Sequence, residues 1–87
     1  MTTPTYRTVL SSRGGDSWRL FVALPGRVAD WPDAEFPGAA IPTIRDRDAA
    51  LEELGYRLAA GADWDWWEDT DTDGRVTLLA STWARPA

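Results

Sequence analysis

The stretch Trp18–Leu24, WRLFVAL, alternates along its length: Trp18, Leu20, Val22 and Leu24 fall on one side of an extended chain, and Arg19, Phe21 and Ala23 on the other. Successive strand side chains point to opposite faces, so a run of this kind folds as a strand. Tyr6–Ser11, YRTVLS, precedes it and is rich in β-branched and aromatic residues. The segment between them, SRGGD, carries Gly14-Gly15 as a turn signal. The chain must therefore fold around a β-hairpin near its start, and every later element has to extend or cover that sheet.

Pro25-Gly26 ends the second strand, because proline has no N–H for the ladder. Residues 27–42 hold three prolines and two apolar anchors, Trp31 and Phe36, and read as irregular. About sixteen residues is long for a connection in a small domain. Either this segment is functional or part of it pairs, with Val28–Trp31 as the expected edge strand. Thr43 then opens a helix. It is a good N-cap, and Asp46 stands three residues on as the aspartate form of a capping box. Ile44, Arg47, Ala50, Leu51 and Leu54 share one side, and Gly55 is placed as the left-handed C-cap. Tyr56–Leu58 is a short extended candidate. WDWWED and RVTLLASTW flank TDTDG as a second hairpin, with Asp73-Gly74 supplying positive φ at the turn. The expected fold is α+β, ββαββ: two antiparallel hairpins forming a sheet of about four strands, with one helix across one face. Residues 1–87 form a single domain.

A core for so short a chain needs large side chains. Six Trp, two Tyr and two Phe supply them. Cys and His are both absent. That removes disulfides and thiolate metal sites, and with them the commonest general base and transition-metal ligand. No Ser stands in a nucleophile motif and no glycine-rich phosphate loop is present, so the chain reads as not an enzyme and as needing no cofactor. The N-terminus lacks a basic start followed by an apolar run, and no apolar run is long enough to span a bilayer. The expectation is a cytoplasmic protein without a membrane partner. All nine basic residues are Arg, and Lys, Asn and Gln are missing, which points to a GC-rich genome.

The net charge is −5, and Asp63–Gly74, DWDWWEDTDTDG, carries six acids and no base, leaving the remainder at +1. A body without a basic patch is a poor direct ligand for nucleic acid. As a strand, the stretch puts Trp64, Trp66 and Glu68 on one face, where the two tryptophans are expected to join the core beneath the helix. Asp63, Asp65, Trp67, Asp69, Asp71 and Asp73 fall on the other face. Arg7, Arg19 and Arg75 are candidates to pair with this row from across the sheet. Such a face suits recognition of a basic protein surface. Its carboxylates would repeat every ~6.6–6.8 Å, close to the phosphate spacing of a nucleic-acid strand, so an inhibitor mimicking nucleic acid is one alternative. Another is weak calcium binding: Asp69, Asp71, Asp73 and Gly74 spell D-x-D-x-D-G, but the position of the bidentate Glu is Ala80 and the flanks are strands. Trp31, on the Pro-rich loop, is the second protein-binding candidate. An exposed second hairpin can also form a homodimer by edge pairing.

The runs YRTVLSSRGGDSWRLFVALPG, DWP, PTIRDRDAALEELGY and GADWDWWED resemble a family of small uncharacterised proteins from Streptomyces and related actinobacteria, over nearly the whole chain. That resemblance carries no activity and no catalytic residues, and implies a cytoplasmic, high-GC setting. A weaker echo is of MbtH-like proteins, small Trp-rich partners of adenylation domains, through Trp31-Pro32, Pro37-Gly38 and Trp83–Pro86. The Trp that should follow the Pro-Gly step is missing, and an extra hairpin stands between the helix and the end. The favoured expectation is a non-catalytic protein-binding accessory or regulatory module.

Overall fold

The structure is a computed structural model that describes residues 3–13 and 15–87. The first hairpin joins β1 (Tyr6–Arg13) to β2 (Ser17–Val22), with Leu10 opposite Leu20 and Ser12 opposite Trp18. Of the expected Gly14-Gly15 turn, Gly15 is described and has φ +81°; Gly14 lies outside the described residues. Trp18, Leu20 and Val22 are buried while the alternate residues are only partly so, as the period predicts.

The connection to the helix is not structureless. Val28–Asp30 forms one 3₁₀ turn, and Asp33–Pro37 is a strand, β3, pairing antiparallel with β2. The edge strand expected at Val28–Trp31 thus lies a few residues further on. Its pattern is short but regular: Ala34 and Phe36 face the core side, opposite Leu20 and Trp18, while Asp33 and Glu35 face away. Pro37 is tolerated because β3 is at the sheet edge.

Helix α1 (Ile44–Glu53) starts as its sequence dictates. The Asp46 N–H donates to Thr43 Oγ1 at 3.1 Å, and the Thr43 N–H donates to Asp46 Oδ2 at 3.3 Å. Gly55 takes φ +91° just past the end, a conformation that side chains resist. Arg47, Ala50 and Leu51 are the buried residues of the helix; Ile44, expected on the same side, is 61% exposed.

Two more strands follow α1 before the last: β4 (Tyr56–Leu58) and β5 (Asp65–Thr70). The final strand, β6 (Val76–Pro86), is eleven residues long and organises the molecule. One of its edges takes β1 over Leu79–Ala84. The other takes β5 over Val76–Ser81 and β4 over Ala84–Pro86, end to end. The result is a curled six-stranded antiparallel sheet, ordered β3-β2-β1-β6 with β4 and β5 sharing the last edge.

This corrects the ββαββ expectation. The described residues are mostly β, with six strands and one short α-helix. Both expected hairpins exist, and the short extended candidate Tyr56–Leu58 pairs as β4, while β3 adds a strand that proline content had obscured. The core lies on one face of the sheet: Leu10, Trp18, Leu20, Val22, Leu51, Ala80 and Ala84, rimmed by Tyr6, Phe36, Tyr56, Leu58 and Trp64. Ala80 and Ala84 are both fully buried, in the same cluster as Leu51 of the helix. The last residue is fastened as well, since the Ala87 N–H donates to the Gly55 carbonyl at 3.0 Å.

Candidate functional site

All six residues of β5 are exposed. Its register, Trp66 against Ala80 and Trp67 against Leu79, puts Trp66 on the core side of the sheet and Trp67 on the outer side. β1 leaves β6 at Leu79, so beyond that point β5 and β6 pair only with each other. The hairpin tip therefore projects, anchored at its base by the Leu78 N–H donating to Ser12 Oγ at 3.2 Å. The molecule is elongated accordingly, 45 × 27 × 23 Å. Of the eight exposed large hydrophobic side chains among the described residues, five (Trp66, Trp67, Val76, Leu78 and Trp83) sit on β5 or β6.

The acidic residues divide into two groups. Asp65 and Asp69 share the outer face of β5 with Trp67 between them, and Glu68 faces the other way. Asp71 and Asp73 lie past the strand, in the turn, and Asp63 precedes it. Strand spacing thus governs only Asp65 and Asp69, about 13 Å apart at four residues' rise. Asp71 Oδ1 accepts the N–H groups of Asp73 and Arg75, each at 2.9 Å, and Asp69 Oδ1 accepts that of Thr70 at 2.8 Å. These carboxylates shape the turn. Among the described residues no three acidic side chains are grouped so as to hold a metal ion. Gly74 alone takes the positive φ, at +82°; Asp73 does not.

Two of the three expected arginine partners, Arg19 and Arg7, are engaged elsewhere, and among the described residues Arg75 makes only backbone hydrogen bonds, to Asp71. Arg19 pairs with Asp33 of β3 at 2.9 Å. Arg7 lies over the Trp83 ring, 5.8 Å from its centroid. Among the described side chains neither ion pair of the molecule involves β5.

Trp31 stacks on Phe21 at 5.7 Å and 17°, and its indole N–H donates to the Leu24 carbonyl at 2.7 Å. It is half-buried and belongs to the outer face of the sheet. On that face Phe21, Val9, Leu79, Trp67 and Trp83 follow from the pairing registers. Sequence reasoning did not assemble this apolar outer face. The signal was present in the second phase of each alternation, Phe21 in β2 and Leu79 and Trp83 in β6.

Trp64 and Trp66 part company. Trp64 packs at the rim of the core. Trp66, expected beneath the helix, is 44% exposed and meets Trp18 edge-on at 6.2 Å. Between the two indoles lies Arg47, whose guanidinium carbon is 5.0 Å from the Trp64 ring centre and 5.8 Å from that of Trp66. Its Nε donates to the Pro42 carbonyl at 3.0 Å. Burial lowers its pKa, and nearby Asp48 works in the opposite direction. An arginine keeps its charge through such a shift, so the fold holds a cation here against two aromatic faces.

The fold and the site define a small, mostly β protein with an open antiparallel sheet, one covered face and a projecting acidic, Trp-bearing hairpin. A family profile matches residues 4–87, and the chain belongs to that family, the family of unknown function DUF6303. No curated protein and no solved structure matches it significantly. Among the described residues no helix is long and apolar enough to cross a membrane.

Proposed function

We propose that this protein is a non-catalytic, protein-binding accessory or regulatory module of the cytoplasm, and that the β5–β6 hairpin is its recognition surface. The observation that supports this most is the exposure of every β5 residue on a hairpin that carries Trp66 and Trp67 on opposite faces. Folding does not require two exposed indoles on an edge strand, whereas interfaces concentrate their energy in aromatic anchors. Asp65 and Asp69 flank Trp67 and have no cation partner among the described residues. The partner that fits is a protein surface with an apolar pocket for Trp67 rimmed by Lys or Arg; the acids then steer the encounter and the indole supplies the affinity. Asp63, Asp71 and Asp73 extend the negative rim beyond the strand. Trp31, with its N–H already satisfied, contributes apolar surface on the same outer face.

Site-specific photo-crosslinking in the native host tests this reading. A photoreactive phenylalanine derivative at Trp67 is expected to trap a discrete heavier species. The same group at Glu52, on the exposed side of α1, traps none. Equal trapping from both positions, or from Glu52 alone, contradicts the assignment.

A further inference from the structure

On the covered side of the sheet, the start of α1 and the segment leading into β5 enclose an open cavity of about 440 Å³. Ile44, Leu58, Trp64 and Trp66 give it apolar walls, and Arg47 and Asp63 are its charged members. That volume falls in the range that takes a small organic molecule. Arg47 is the unusual member. Its residue surface is only 7% exposed, yet among the described residues no carboxylate lies within ion-pairing distance. Nε is spent on Pro42, while among the described residues the two terminal nitrogens make no hydrogen bond. The Trp64 indole N–H, at the same cavity, is buried without an acceptor among the described residues. Every unspent polar group of Arg47 and Trp64 is thus a donor, and the aromatic walls hold the guanidinium plane in place for a two-pronged acceptor.

We propose that this cavity binds a small organic carboxylate, its apolar body seated between Ile44, Trp64 and Trp66 and its two oxygens paired with the terminal nitrogens of Arg47. A carboxylate matches the guanidinium fork, and the apolar walls favour an aromatic or branched aliphatic body over a sugar or a free inorganic anion. Asp63 at the rim opposes the ligand's charge and so tunes affinity downward. The cavity shares Asp63 and Trp66 with the β5–β6 recognition surface, but the centre of that surface, Trp67 with Asp65 and Asp69, lies on the other face of the sheet.

Phenylacetate is the probe, titrated into the intact protein while the Trp64 and Trp66 indole N–H and the amides of residues 44–48 are followed by NMR. The expected result is saturable binding with a dissociation constant of about 1 mM or tighter. Phenylacetamide, which has the same shape without the charge, binds at least about tenfold more weakly. Asp63→Asn tightens phenylacetate roughly two- to fivefold and leaves phenylacetamide unchanged. Arg47→Gln abolishes the preference for the acid. Should that variant fail to fold, the acid–amide comparison on the unaltered protein decides alone. Equal affinity for acid and amide, or no saturation below ~20 mM, overturns the proposal. Asp65→Ser with Asp69→Ser leaves phenylacetate binding intact, so the two surfaces can fail independently.

Discussion

Thr43 and Asp46 exchange two hydrogen bonds at the start of α1, and the helix is only ten residues long. A helix this short relies on its caps and its packing rather than on propensity. Thr43→Ala is expected to cost about 1 kcal/mol in urea denaturation, which for a chain of this size lowers the melting temperature by roughly 4–8 °C. Asp71 plays the comparable part in the β5–β6 turn, where its carboxylate accepts two backbone N–H groups. Because that carboxylate is already employed and among the described residues no three acids are grouped around a common point, millimolar calcium is expected to leave the melting curve where it is. A calcium-dependent rise would restore the metal reading. The residue scale is also where sequence reasoning was most direct: Thr43, Asp46, Gly55 and Gly74 each carry a local signal whose physics operates within a few residues.

At the scale of elements, β5 and α1 should respond differently to substitution. Asp65→Ser with Asp69→Ser changes exposed groups and loses only the local hydrogen bond from the Thr70 N–H to Asp69, so stability should move by no more than about 0.5 kcal/mol. Leu51→Ala empties a fully buried position of α1 against the sheet and should cost about 2–5 kcal/mol. Both hairpins and the helix were legible because alternation and capping are local patterns. β3 was not, since Pro32 and Pro37 bracket only one clear alternation, Ala34 and Phe36, within five residues. Trp66 was misplaced for a related reason. Period two assigns a residue to a face of its strand, but it does not say how far the helix reaches along that face. Here the cover stops short, and Trp66 meets Trp18 and Arg47 at the boundary.

For the whole molecule, the deciding contact is the one furthest apart in sequence, β1 against β6. Nothing in either strand alone names its partner, so an eleven-residue strand serving three neighbours could not be read from periodicity. That arrangement has a functional consequence. By pairing with β1 only from Leu79 onward, β6 frees its first residues to carry β5 outward as a projecting hairpin. The acidic tryptophan stretch was legible as a strand with a carboxylate-bearing face, but not as a projection. The most direct test of that surface is affinity capture from a host extract with the native protein and with a variant in which Asp63, Asp65, Asp69 and Asp71 are Ser. The account predicts a partner held by the native protein and lost by a variant whose fold is unchanged by circular dichroism. Retention of the same partner by both proteins would contradict it, and would move the search to the apolar outer face around Trp31 and Trp83.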